Sequence, residues 1–124
     1  EVDKGIETKI LNMLEQSGFQ PPLKEETAKA LNLQQKQLDD ILKLMAKQGS
    51  IVRVNERMYI TKTIYEKVID ALKNFFSNKK EMTVAEFRDI LNTSRKYALP
   101  ILEYLDTQRI TMRVGDARKF LGKG

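Results

Sequence analysis

Arg95 with Lys96, Arg113, and Arg118 with Lys119 are the side chains in this sequence best suited to do chemistry, and that chemistry is the neutralisation of phosphate. After Thr93 the chain holds seven Lys+Arg and only three Asp+Glu. Tyr97 follows the first basic pair, and its ring could stack on an unpaired base. Tyr104 lies seven residues further along the same stripe and reads as edge packing. Catalytic chemistry is poorly supplied. With no His and no Cys there is no Ser-His or Cys-His arrangement, no His acid or base, no disulfide and no usual zinc site. Neither G-x-x-x-x-G-K-[S/T] nor G-x-G-x-x-G occurs. Asp39 and Asp40 are adjacent on a helical pattern, so their carboxylates point about 100° apart and read as a solvated face. These absences point to a binding module with no enzyme activity, no cofactor and no metal.

The elements that must hold the basic groups emerge from an internal repeat. At an offset of sixty, Leu31-Asn32-Leu33-Gln34 lies over Leu91-Asn92-Thr93-Ser94. In the same register Leu38, Ile41, Leu42 and Met45 lie over Ala98, Ile101, Leu102 and Leu105, each set spaced to line one helical face. Val52–Glu56 then falls on Met112–Asp116. Upstream, Ile6–Leu11 matches Ile64–Ile69 at an offset of fifty-eight.

Each copy therefore reads as three helices and a hairpin. Helices are predicted over 4–16, 24–31 and 35–48, and again over 63–77, 84–91 and 94–107. Thr63 with Glu66, and Thr83 with Glu86, have capping-box spacing, and Gly49 stands where a C-cap glycine would. Hairpin strands are predicted at Ile51–Val54 with Met58–Ile60, and at Ile110–Val114 with Arg118–Leu121. Phe75, Phe76, Phe87 and Phe120 are predicted core. Pro100 lies inside the last helix and removes one backbone donor there.

Three helices and a C-terminal hairpin in about 60 residues give the winged-helix variant of the helix-turn-helix. The fold class is accordingly mainly α with short β-hairpins (α+β), as two tandem winged-helix domains at 1–62 and 63–124. A hydrophobic fraction of 41% with 31% charged residues suits such a globular chain. No apolar run approaches the ~18 residues of a membrane span. There is no signal peptide, and Glu1 in place of Met reads as a piece of a longer, cytoplasmic protein.

The net charge of +5 is unevenly shared. The first copy carries 10 Lys+Arg against 9 acids and the second 12 against 8. The positions matching Arg95, Lys96, Arg118 and Lys119 in the first copy are Gln35, Lys36, Met58 and Tyr59, and Arg53 matches Arg113. The pattern was repeated and most of the basic patch was not, which favours a functional patch over an architectural one.

The run Thr93-Ser94-Arg95-Lys96-Tyr97-Ala98-Leu99-Pro100-Ile101-Leu102-Glu103-Tyr104-Leu105-Asp106, followed by Thr111-Met112-Arg113-Val114-Gly115-Asp116, closely resembles the last winged helix of the bacterial selenocysteine-specific translation elongation factors. Met112 and Ala117–Phe120 depart from the family pattern, and residues 1–62 match in pattern more than in motif. The resemblance implies a module that binds the selenocysteine insertion hairpin (SECIS) of a messenger RNA, just downstream of a UGA codon. It implies RNA contacts at Ser94, Arg95, Lys96, Tyr97, Arg113, Val114, Gly115, Asp116, Arg118 and Lys119. Gly115 would permit close backbone approach, and Asp116 would accept a hydrogen bond from a guanine edge. GTP and selenocysteinyl-tRNA would be bound by domains upstream, the ribosome would be met through the whole factor, and the chain would be a monomer. Two other readings of the residues stay open: a DNA-binding regulator that inserts the Ser94–Tyr104 helix into a major groove, and a winged helix that meets an acidic protein.

Overall fold

A computed structural model describes residues 4–122. In chain order the elements are α1 (Lys4–Ser17), α2 (Lys24–Ala30), α3 (Gln35–Gln48), β1 (Ile51–Arg53), β2 (Tyr59–Thr61), α4 (Lys62–Phe76), β3 (Met82–Thr83), α5 (Val84–Ile90), α6 (Arg95–Thr107), β4 (Thr111–Val114) and β5 (Ala117–Phe120). The chain divides between Tyr65 and Glu66, inside α4, into two compact units. Each unit is a helical layer closed by a short antiparallel hairpin.

In unit 1, α1 contributes Ile10 and Leu14 to the core, α2 contributes Ala28, and α3 contributes Leu38, Ile41, Leu42 and Met45. Ile51 and Tyr59 of the hairpin complete the cluster. The four α3 residues are the stripe read from the sequence, and a stripe at that spacing must face one neighbour. The hairpin pairs Ile51 with Thr61 and Arg53 with Tyr59. A single bridge, Leu23 to Met58, ties it to the start of α2.

Unit 2 repeats the plan with a larger sheet. Its α6 stripe of Ala98, Ile101, Leu102 and Leu105 is buried, as are Phe87 and Met82. The strand order is β3-β5-β4, and β3, which the sequence pattern did not reveal, pairs Met82 with Arg118 and Thr83 with Ala117. Phe76 stacks on Phe120 at 5.3 Å between ring centroids, and Phe75 meets Phe76 edge-on. These three rings are half-buried, and only Phe87 of the four predicted is fully enclosed.

Helix ends follow local chemistry. Thr83 and Glu86 form the expected capping box, with reciprocal bonds of 3.0 and 2.9 Å. The Thr63–Glu66 box does not form. Strand β2 runs directly into α4, so the helix starts earlier, and the Thr61 hydroxyl accepts from the Ile64 N–H at 3.1 Å. The same hydroxyl donates to Glu15 at 2.7 Å. Gly49 ends α3 in the left-handed region at φ 85°. At the matching place after α6 stands Arg109, also left-handed at φ 59°. Pro100 is accommodated within α6, which continues through it.

Candidate nucleic-acid interface

The start of α6 and the wing formed by β4 and β5 build the site in unit 2. Ser94 caps α6 through its backbone: its carbonyl accepts from the N–H groups of Tyr97 at 3.1 Å and Ala98 at 2.9 Å. The first turn of a helix presents N–H groups without intrahelical acceptors at the positive end of the macrodipole. Arg95 and Lys96 add full charges there, and both are exposed. The Lys96 ammonium lies 5.2 Å from the Tyr97 ring centroid, a cation–π contact. That contact holds the half-buried Tyr97 ring beside a charge. Tyr104 is also half-buried, and burial pushes its phenol above the ordinary tyrosine value.

The wing register decides which cations share a surface. Arg113 pairs with Arg118, Met112 with Lys119, and Val114 with Ala117. Directly opposed residues lie on the same face of a sheet, and successive residues alternate. Arg113 and Arg118 therefore face one way, while Met112, Val114 and Lys119 face the other. A groove of about 350 Å³ runs between α6 and the first of these faces. Arg95, Leu99 and Glu103 line it from the helix, and Arg113, Asp116 and Arg118 line it from the wing. The Arg113 Nε–H donates to the Gly115 carbonyl at 3.1 Å, which braces the guanidinium and leaves its terminal amino groups for a ligand. Gly115 turns the wing at φ 61°, and no atom crowds a Cβ built there, so its glycine serves the backbone angle.

Four of the ten expected site residues, Arg95, Arg113, Asp116 and Arg118, line the groove. Ser94, Lys96 and Tyr97 lie beside it on the first turn of α6, and Val114 and Gly115 lie at the exposed wing tip. Lys119 is exposed but on the wing's opposite face. Arg118 is a correction. It is only 2% exposed, and its Nε–H donates to both Asp106 carboxylate oxygens, at 3.1 and 2.9 Å. A guanidinium so enclosed and so paired forms part of the groove's floor, its charge already met by Asp106. The same carboxylate accepts the Thr111 hydroxyl at 2.6 Å. Asp106 and Thr111 carry no signal in the clustering of charge, and the period-two alternation of a strand separates Arg118 from Lys119.

Unit 1 carries the matching groove, about 510 Å³, lined by Lys24, Asp39, Lys43, Arg53 and Glu56 among others. There Lys24 pairs with Asp39 at 2.8 Å, and each of the two grooves is lined by three cations and two carboxylates. Among the described residues no cluster of side chains could hold a metal ion, and no helix is long and apolar enough to cross a membrane.

The family described as elongation factor SelB, winged helix, matches residues 74–120, which span α5, α6 and the wing. Most of the second unit thus matches the SelB winged-helix family. The selenocysteine-specific elongation factor of Desulfomicrobium baculatum is 34% identical over 115 residues, 93% of this chain. That of Haemophilus influenzae is 27% identical over 92% of the chain. The chain spans 18% of the length of each of these curated relatives. Among solved structures, the mRNA-binding domain of SelB from E. coli, in complex with SECIS RNA, superposes with a TM-score of 0.79 at 24% identity, covering 95% of this chain and 98% of that one. A bacterial selenocysteine-specific elongation factor superposes with a TM-score of 0.74 at 26% identity over 97% of this chain and 20% of its own. The SelB winged-helix fold thus extends over both units, and the groove of unit 2 lies within the matched residues.

Proposed function

We propose that unit 2 binds a messenger-RNA stem-loop of the selenocysteine-insertion (SECIS) type, downstream of a UGA codon, and so tethers a selenocysteine-specific elongation factor to its message. The observation that carries this reading is the pairing of Arg95 and Arg113 across one groove, on the unit that matches the SelB winged helix. Two guanidiniums facing each other over a groove, beside a helix N-terminus, suit a phosphate backbone turning through a loop. An A-form stem hides its base edges in a deep, narrow major groove, so discrimination falls to unpaired loop bases. Asp116 supplies an acceptor for such a base at the wing, and the Tyr97 ring offers a stacking face beside Lys96. The chain acts here as a binding module and not as a catalyst. The near-neutral unit 1 serves as a spacer. GTP, selenocysteinyl-tRNA and ribosome contacts fall to other parts of the factor, which works as a monomer in the cytoplasm.

Titration of the chain with a stem-loop RNA, the same stem with a scrambled loop, and a DNA duplex of equal length, each at two salt concentrations, tests the reading. Loop-dependent RNA binding with a clear salt slope is expected. Arg95→Ala and Arg113→Ala should each cost ~1–3 kcal/mol, while Arg53→Ala and Lys119→Ala should change affinity little. Equal or tighter binding to duplex DNA would favour a transcriptional regulator, and no binding to any nucleic acid would favour an acidic protein partner.

A further inference from the structure

Beneath the wing of unit 2 lies a polar cluster that the fold itself does not require. Asp106, near the C-terminal end of α6, accepts the Thr111 hydroxyl at 2.6 Å and the Arg118 Nε–H at 2.9 and 3.1 Å. One carboxylate therefore holds the first residue of β4 and the second of β5 against the recognition helix. In unit 1 the matching places hold Ala46, Ile51 and Tyr59, with Tyr59 across the ladder from Arg53 as Arg118 is from Arg113, and Ile51 and Tyr59 are buried in the core with Ala46 packed against it. The same architecture is thus built once by packing an aromatic ring on aliphatic side chains and once with an ion pair and a hydroxyl. Apolar packing tolerates small slides and rotations. Charge-assisted hydrogen bonds are short and directional, and fix an angle.

The place of the cluster gives it a purpose. Arg118 sits directly across the ladder from Arg113 and on the same face, so whatever fixes Arg118 fixes the strand position that carries Arg113. Like charges directly opposed on a sheet repel, and the Asp106 carboxylate neutralises Arg118, leaving Arg113 as the unpaired cation of that pair. We propose that Asp106 is a positioning residue for RNA recognition: through Thr111 and Arg118 it clamps the wing so that Arg113 faces Arg95 across the groove. This rests on the reading of unit 2 as an RNA-binding module, and it adds a residue that touches no RNA.

The test transplants the unit 1 residues into unit 2 of the whole chain as Asp106→Ala/Thr111→Ile/Arg118→Tyr. Because unit 1 folds with this set, the triple variant is expected to keep its cooperative melting. Two measurements follow. Without RNA, the Arg113 Nε–H resonance, slowed in exchange by its bond to the Gly115 carbonyl, should shift and exchange faster. With a stem-loop RNA, affinity should fall about tenfold or more, and adding Arg113→Ala to the triple variant should cost little beyond that. Should the triple variant melt without cooperativity, Thr111→Val removes one hydroxyl at nearly constant shape, and should move both measurements the same way, with about a threefold loss of affinity. An unchanged Arg113 resonance together with affinity within twofold of the unmodified chain would overturn the clamp. So would losses from the clamp and from Arg113→Ala that simply multiply, since independent sites add in free energy. If the unmodified chain binds no stem-loop RNA at all, the RNA reading fails. The Arg113 resonance then decides the clamp alone, a shift supporting it and no shift overturning it.

Discussion

Replacing Asp106 with alanine would leave the Arg118 guanidinium buried without its counter-charge, and the cost can be worked from the two partners' surroundings. Arg118 is 2% exposed and Asp106 22% exposed. A buried ion that loses its partner costs ~3–5 kcal/mol, and Arg118 has little access to water that could soften this. Removing the other partner is less severe. In Arg118→Met the carboxylate keeps the Thr111 hydroxyl and can turn toward solvent, while methionine fills much of the arginine's volume. That variant should cost ~1–2 kcal/mol. The double variant Asp106→Ala/Arg118→Met leaves no charge unpaired and should lie well below the sum, giving a coupling energy of ~2–3 kcal/mol. Two compact units on one chain make a single global transition unsafe, so native-state hydrogen exchange at amides of α6, β4 and β5 is the appropriate assay. An Arg118→Met cost larger than that of Asp106→Ala, or a double variant equal to the sum, would refute the reasoning.

Arg109 occupies the left-handed position at which Gly49 ends the matching helix of unit 1. A left-handed non-glycine residue costs ~1–2 kcal/mol and glycine's extra unfolded-state entropy returns ~0.5–1. Arg109→Gly should therefore stabilise unit 2 by about 0.5–1 kcal/mol, seen as slower amide exchange in α6, and a loss of stability would refute the strain. Thr83→Ala removes the hydroxyl that accepts from Glu86 at 3.0 Å and should destabilise α5 by ~1 kcal/mol, whereas Thr63→Ala, outside any cap, should be nearly neutral. In unit 1 the side-chain hydrogen bond from Arg57 holds the Glu25 carboxyl below the usual glutamate value. A depressed folded pKa means that the stabilisation is present above the unfolded value and is lost as pH falls through the folded one. An NMR titration should place the Glu25 midpoint below that of ordinary glutamates, and Arg57→Gln should return it to the usual range. A midpoint indifferent to Arg57 would remove the pair as the cause.

The helices were legible because their signals are redundant. Each buried stripe recurs at the same spacing sixty residues later, and helix ends carry their own chemistry in Thr83, Glu86 and Gly49. The strands were less so, since two to four residues hold little pattern, and β3 exists only because Met82 and Thr83 find β5. Thr63 failed as a cap for a related reason: spacing shows where a cap is possible, and the end of β2 decides where α4 begins. The site was half legible. Clustering of charge along the chain singled out Arg95 and Arg113, which two different elements bring to one groove with Asp116. It could not separate Arg118 from Lys119, because adjacent residues on a strand face opposite ways, and which of them is enclosed depends on Asp106, a carboxylate twelve residues away. A run of basic residues therefore sets the average charge of a wing, and the pairing register sets which of those charges is available. In this unit one cation of the wing is exposed at the groove, one faces away, and one, enclosed in the groove's floor, holds the strand that presents the first.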